Sequence, residues 1–472
     1  MLHGLSVELL EEIGHQLVQS DQASLRATCK DLNGIINRLF FSVLVLKPHP
    51  QRQSENGVQM LQALANCNTG WSLYAKILWL RSGDHTGNQK AEKRLVRSKI
   101  RDLLTSALAS LRQIRTVVWE VHAHGAPSWA PSQRNLICHA LSTYPTLHTL
   151  ELNIQGSVDF SSLQVSGIRK FIIKSPGSAS PNLSMNSANE LSIYHQVATP
   201  VSQNPLHCLH LEGLSEWLTV WRMLRTSAHA SGSQVKLAEI TTSVVTPDLF
   251  GYLASYSGLE KLTLKSPDGG SQEQTDRLAD SFFDTALPRH AASLTVLSCP
   301  AAYESRFSFG THNVDVLSLF RKLRTLEMSV NAGAVRLVEN PTSQWVDADG
   351  NCYFVDSASV GGISVEVEQA DIDPVVTLLL ETAATLPALR SLTIVGADTE
   401  RNRGNSCGNW MLYHKGVVDV AIERAVMAFR SKMPSSAVVR AGYRLYDLQP
   451  LRGSQEESGS DGESGMLGYR RL

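Results

Sequence analysis

The chain has 472 residues, with 43 Lys and Arg against 44 Asp and Glu, 43% hydrophobic residues and 18% charged ones. That much apolar material supports one large core or a few ordinary ones and excludes a disordered or coiled-coil chain. A formal net charge of −1 gives no whole-molecule field toward nucleic acid, anionic membrane or acidic substrates, so a partner must be recognised locally.

The first residues, Met1-Leu2-His3-Gly4-Leu5-Ser6-Val7-Glu8, hold no basic segment followed by an apolar one, which reads as an intracellular protein, cytoplasmic, nuclear or both. The longest uncharged apolar run, Leu39 to Leu46, has eight residues, far short of the ~20 a membrane helix needs, so no membrane partner is expected. Seven cysteines, odd in number and never spaced as CxxC, suggest neither a disulfide framework nor a zinc ribbon. Most are expected to be small buried hydrophobes.

Residues 5–46 read as a compact helical unit. Leu9, Ile13 and Leu17 recur every four residues after Ser6, a competent N-cap, with Glu8 in the first turn. A second helix is expected from Ser20, with Leu25, Thr28, Cys29 and Leu32 as its stripe and Asn33-Gly34 as its stop. Ile35, Ile36, Leu39, Phe40 and Phe41 form a third apolar stretch running into the β-like Val43-Leu44-Val45-Leu46. Three short helices of this size bury too little area alone and expect a partner or a docked neighbour. Residues 47–74 read as a linker.

From residue 75 the pattern L-x-x-L-x-L takes over. Clear copies are Leu147-x-x-Leu150-x-Leu152, Leu206-x-x-Leu209-x-Leu211, Leu259-x-x-Leu262-x-Leu264, Leu323-x-x-Leu326-x-Met328 and Leu389-x-x-Leu392-x-Ile394. Weaker copies start at Ala75, Ile114, Ile168, Ala188, Leu237 and Leu294. Repetition of this kind is the signature of a leucine-rich-repeat solenoid, each unit supplying one short parallel strand and one return. The fold class expected is therefore α/β: a short three-helix domain over 1–46, then an irregular repeat solenoid over 75–450 with a parallel concave sheet. The spacings run from 18 to 66 residues; the long returns carry helices at Val96 to Leu111, Leu136 to Leu141, Leu214 to Leu224 and Val375 to Leu386. The widest gap holds an insertion at about 335–356. Val335 to Val338 and Gln344 to Val355 there suggest a hairpin turning at Asp347-Ala348-Asp349-Gly350-Asn351, as an elaborated return loop or as a binding hairpin. Residues 451–472 are rich in Gly, Ser and Glu and are expected to be a disordered tail. Ser454, Ser458 and Ser460 in it, each with an acidic residue three positions on, fit the common acceptor pattern of acidophilic kinases.

Leu5-Ser6-Val7-Glu8-Leu9-x3-Ile13-x3-Leu17-x2-Ser20-Asp21-x3-Leu25-x2-Thr28-Cys29-Lys30-x-Leu32-Asn33 resembles the F-box motif of F-box proteins with irregular leucine-rich repeats. It covers some 40 of the 472 residues. In that family the F-box docks on the Skp adaptor of cullin–RING ubiquitin ligases while the repeats hold a protein substrate. The resemblance implies that Leu5, Ser6, Leu9, Ile13, Leu17, Leu25, Cys29, Lys30 and Leu32 occupy adaptor-facing or F-box-core positions. Two positions depart from the family pattern: Ser6 stands where Pro is usual, and Gln22-Ala23 where two apolar residues are usual. A proline pre-sets a helix start and a serine can cap one. The rival role is a non-ligase scaffold whose degenerate F-box serves as the N-terminal cap that solenoids require.

In a solenoid, the residues flanking the strand leucines line the concave face. As candidate substrate contacts these include Trp79, Arg81, Glu151, Lys170, Lys174, His210, Lys261, Lys265 and Glu327, alongside Ile77, Thr149, Asn153, Cys208, Glu212, Thr263, Thr325, Thr393 and Val395. The lysine pairs read as solvated side chains or as a site for an acidic or phosphorylated segment. No GxGxxG, P-loop, HExxH or GxSxG occurs, so no enzymatic activity, cofactor or catalytic residue is assigned. His122-x-His124 lacks further ligands at metal spacing and reads as surface histidine, so no metal is assigned. Between Lys76 and Arg115 ten basic residues face three acidic ones, the one local argument for nucleic acid. The apolar stripe Val96, Ile100, Leu103, Leu104, Ala107, Leu108 and Leu111 makes those charges a solvated helix face instead.

Overall fold

The structure, a computed structural model, describes residues 5–47, 56–81, 94–122, 129–155, 159–175, 196–213, 218–231, 235–331, 336–338, 364–366, 369–400, 403, 409–431, 435–442, 444–450 and 467–472. The chain is α/β and divides into two compact units, Met1–Leu237 and Ala238–Leu472. That division falls inside the span 75–450 expected as one repeat domain.

The first unit opens with three helices, α1 Val7–Gln16, α2 Gln19–Thr28 and α3 Lys30–Phe40. The second helix ends at Cys29, not at Asn33-Gly34. Cys29 is extended (φ −157°, ψ 165°), which breaks the helix there, and Asn33 and Gly34 lie inside α3. Ser20 lies within α2, whose N-cap position is Val18. Strand β1 Val43–Leu46 follows, then α4 Asn56–Ala65 and α5 Gly70–Tyr74 in the segment expected to be a linker. Thr69 caps α5 by accepting from the Ser72 amide, a short-range bond that composition does not advertise. Beyond them come β2 Ile77–Leu80, α6 Arg94–Ser110, β3 Thr116–His122, α7 Pro131–Thr143, β4 Thr149–Gln155, β5 Lys170–Lys174, β6 Cys208–Glu212 and α8 Leu218–Ser231.

Strands β1 to β6 lie side by side in chain order, every neighbouring pair parallel. Their register stacks equivalent side chains into rows. Leu44, Leu78, Val117, Leu150, Phe171 and Leu209 form one row, and Leu46, Leu80, Trp119, Leu152, Ile173 and Leu211 another. All twelve are buried. Parallel sheets ordinarily bury both faces and read as unbroken apolar runs; here the intervening row Val45, Trp79, Val118, Glu151, Ile172 and His210 carries polar groups, which is why the sequence alternates. Gly213, just after β6, has φ +86°, and a Cβ there would overlap the Ser175 carbonyl oxygen, so both the turn and the close approach require glycine.

The second unit contains β7 Glu239–Thr242, α9 Pro247–Leu253, β8 Lys261–Leu264, α10 Gln272–Asp280, a π-turn Ser281–Ala286, a 3₁₀ turn Leu287–His290, β9 Val296–Cys299, α11 Val314–Leu317 and β10 Thr325–Val330. It continues with β11 Arg336–Val338, β12 Ser364–Glu366, α12 Gln369–Thr385, β13 Ser391–Gly396, α13 Asn409–Ala428, β14 Arg430–Ser431, β15 Val438–Ala441, β16 Arg444–Pro450 and β17 Leu467–Arg471. From β7 through β10 and β13 to β15 the pairing is parallel, and the row Ile240, Leu262, Leu297, Leu326, Leu392 and Val439 is buried. The end of this sheet turns antiparallel, in the order β15-β16-β17-β14.

The repeat starts at 75, 114, 147, 168, 206, 237, 259, 294, 323 and 389 each precede an observed strand by two residues; the start at 188 lies outside the described residues. The tail is corrected at its end, since Leu467–Arg471 is a strand whose Tyr469 is buried beside Phe429. Its three serines lie outside the described residues. In the insertion, Arg336–Val338 pairs antiparallel with Ser364–Glu366, and the expected turn at 347–351 lies outside the described residues. Of the five described cysteines, Cys138 and Cys299 are buried, Cys29 and Cys208 half-buried and Cys67 exposed. Burial pushes the Cys138 and Cys299 thiols up, so neither is a reactive thiolate.

His290 fixes the 3₁₀ turn to its neighbours. Its Nδ1 accepts from the Leu259 amide at 3.2 Å, and its Nε2 donates to the Leu253 carbonyl at 3.1 Å. Burial pushes the imidazole down to about 4, against the Leu253 bond that favours its charged form. The unfolded chain binds this proton near pH 6.5 and the folded one only near 4, so the contribution is intact above about 6.5 and is lost as pH falls toward 4. Urea unfolding of the wild type is expected to lose up to about 3 kcal/mol more over that window than His290→Gln, whose amide keeps a donor and an acceptor but cannot protonate.

Candidate docking surfaces

The first surface is built on α1. Ser6 caps it, its Oγ accepting from the Leu9 amide at 3.4 Å. One side of the helix packs on α3 through Leu10 and Gly14; a Cβ on Gly14 would meet Leu39 Cδ1 at 2.7 Å and Ile36 Cδ1 at 2.8 Å, so glycine lets the helices cross closely. Leu9 and Ile13, four residues apart on the helix, are exposed by 53% and 40%, and Leu5 just before the cap and Val18 after the helix are exposed by 37% and 64%. These exposed apolar side chains make this side of α1 the candidate docking face.

The residues singled out by the F-box resemblance divide between outside and inside. Leu5, Ser6, Leu9, Ile13 and Lys30 are exposed, Leu17, Leu25 and Cys29 are half-buried, and Leu32 is buried. Gln22, one of the departures from the family pattern, closes the end of α1. Its Nε2 donates to the Gly14 and Leu17 carbonyls at 2.9 and 3.2 Å, the former also accepting from the Leu17 amide at 3.2 Å.

The second surface is the polar row of the first unit's sheet. Trp79, Glu151 and His210 share one register row, and Lys170 and Lys174 flank it. The Arg81 guanidinium lies 4.6 Å over the Trp79 ring and 3.8 Å from Glu120. Lys174 pairs with Glu151 at 2.9 Å, and His210 with Glu212 at 2.9 Å. Lys174 with Glu151 and Arg81 with Glu120 thus pair charges across neighbouring strands, and Lys174 is engaged where the sequence offered it as a receptor for acidic groups.

In the second unit Lys261 pairs with Glu239 at 2.5 Å, Glu327 accepts from the Ser298 hydroxyl at 2.5 Å, and Lys265 is half-buried. The strongest polar assembly has no counterpart among the residues the sequence pattern singles out. Arg403 forks onto both oxygens of Asp268 at 2.5 Å, onto Glu400 through Nε and Nη2 at 2.7 and 2.8 Å, and lies 4.2 Å over the Tyr303 ring. Asp268 also accepts from Thr275 Oγ1 and the Gly270 amide at 3.1 Å. Burial pushes the Asp268 carboxyl up, but these donors outweigh it and hold it below the usual range. Asp268 and Arg403 are 135 residues apart, a separation across which sequence periodicity carries no information. A cleft of about 410 Å³ lies elsewhere in this unit, between Val314, Glu381, Thr385 and Phe429. Its Ser318, Thr382 and Thr385 hydroxyls donate to backbone carbonyls of their own helices.

Among the described residues no group of three potential metal ligands occurs, and no helix is long and apolar enough to cross a membrane. No protein-family model matches the chain, and no curated protein is significantly similar to it.

Arg403→Leu would leave two partly buried carboxylates facing each other. The variant is expected to destabilise the second unit by about 1–3 kcal/mol, read as an earlier urea midpoint, with the first unit unchanged.

Proposed function

We propose that the chain is a non-enzymatic substrate-recognition subunit of a Skp–cullin–F-box ubiquitin ligase, binding the Skp adaptor through α1 to α3 and a protein substrate through its repeat sheet. The observation that carries this reading is the ridge of Leu9 and Ile13, with Leu5 just before the cap, exposed on a helix whose other side, at Leu10 and Gly14, is already packed. The F-box resemblance supplies the identity of the partner. The repeated parallel strands, with their leucines inward and a mixed polar row outward, support a leucine-rich-repeat reading of the sheet. The lateral ion pairs on that row, Lys174 with Glu151 and Lys261 with Glu239, favour a substrate recognised without a phosphate clamp. A second reading, that the helices only cap the sheet, draws on the short connection between α3 and β1.

Co-purification of the full chain with the Skp adaptor separates the two readings. Burying one Leu or Ile side chain is worth about 1.5–3 kcal/mol, so Leu9→Asp and Ile13→Asp are each expected to weaken adaptor binding by more than about tenfold. Both positions are exposed, so the melting temperature should stay within a few degrees of the wild type's. Absence of adaptor from a folded wild-type preparation would overturn the ligase reading and leave the cap.

A further inference from the structure

The connection from the docking helices to the sheet is two residues long, Phe41 and Ser42, between α3 ending at Phe40 and β1 starting at Val43. Two unsupported residues would act as a hinge. Helix α3 has 11 residues and so is about 16 Å long, and a tilt of about 20° at its base would move its far end by roughly 6 Å and turn the ridge packed on it through the same angle.

A cluster on both sides of the connection blocks that tilt. The Phe41 ring stands edge-on to Phe40 and to Trp71 of α5, both at 4.9 Å between centroids. The Arg26 guanidinium of α2 lies 4.2 Å over Phe40 and 4.5 Å over Phe41, and its Nε donates to Asn37 at 2.6 Å. From the sheet side, Trp71 Nε1 donates to the Val43 carbonyl at 3.0 Å. The Ser42 carbonyl accepts from the amides of Lys76 and Ile77 at 2.8 and 3.0 Å. Gly70 makes room for the wedge, since a Cβ there would overlap the Phe41 ring. Trp71 thus touches the end of the helical unit with its ring and the first strand with its indole N–H.

We propose that Trp71 is a positioning residue that holds the α1 docking ridge at one fixed orientation to the first unit's sheet. On the reading that the ridge binds the adaptor and the sheet the substrate, which this inference rests on, the wedge presents bound substrate at a set distance and angle from the adaptor. Orientation of that kind is worth more to a transfer reaction than extra affinity at either site.

The test uses full-length protein carrying spin labels at positions 18 and 148, introduced on non-thiol side chains because Cys67 is exposed. The wild type is expected to give a single narrow distance distribution. Trp71→Ala is expected to widen it at least twofold, while Trp71→Phe, which keeps an aromatic edge on Phe41 and loses the donor to Val43, restores most of the narrow width. Adaptor affinity, measured on the unlabelled proteins, should stay within about twofold for all three, because the ridge itself is untouched. A wild-type width in folded Trp71→Ala would overturn the proposal. Should that variant melt too early to measure, Gly70→Ala and Arg26→Gln decide in the same way: broadening supports the wedge, and wild-type width in both refutes it. The distance measurement contains no adaptor, so failure of the docking reading would show separately, as a wild-type chain that binds none.

Discussion

Everything in this molecule is organised around one packing constraint: each parallel strand must bury two side chains, two residues apart, at the same height as its neighbours' pairs. The rows from Leu44 to Leu209 and from Leu46 to Leu211 meet that constraint in the first unit, and the row from Ile240 to Val439 meets it in the second. A slip of one residue in any strand would turn its leucines out and its Thr, Glu or Lys side chains in, so the rows fix register across each unit. Because only alternate positions are committed to the core, the intervening row is open to Trp79, Glu151 and His210.

The electrostatics follow from the same geometry. With strands in register, a carboxylate on one strand lies beside a cation on the next, and Glu151 with Lys174 or Glu239 with Lys261 form across adjacent strands. Exposed pairs of this sort contribute little to stability, but they cancel the local field.

How far the sequence spoke for itself depended on the range of each interaction. The leucine pattern located strands to within two residues at Ala75, Leu147 and Leu389 alike, because inward packing acts through alternation within five or six residues. The Ser6 cap of α1 was readable for the same reason. The end of α2 was not: Asn33-Gly34 is a common stop, and the extended backbone at Cys29 overrode it. Residues 47–74 and the final strand look polar or weakly apolar in isolation, yet Trp71 and Tyr469 anchor them through contacts the local pattern does not encode. Arg403 with Asp268 is the extreme case, a bond between loops that no window of sequence spans. Of the candidate docking surface, the four-residue spacing of Leu9 and Ile13 on one helix was legible. The role of Gln22 was not, because the Gly14 and Leu17 carbonyls it binds are brought within its reach only by the turn that ends α1 at Gln16.

Chain-order pairing also shapes how such a protein can acquire its structure. Where strand follows strand as spatial neighbour, each pairing closes one modest loop, and order can spread along the sheet one strand at a time. The antiparallel end of the second unit breaks that rule: β14, at Arg430 and Ser431, finds its partner in Leu467 and Gly468 after β15 and β16 have already been laid down. What sets this pairing apart is its order in the chain, since the widest loop of the sheet is the one that joins Thr325 to Ser391. Until β17 arrives, the edges of β14 and β16 stand open to any other strand in solution.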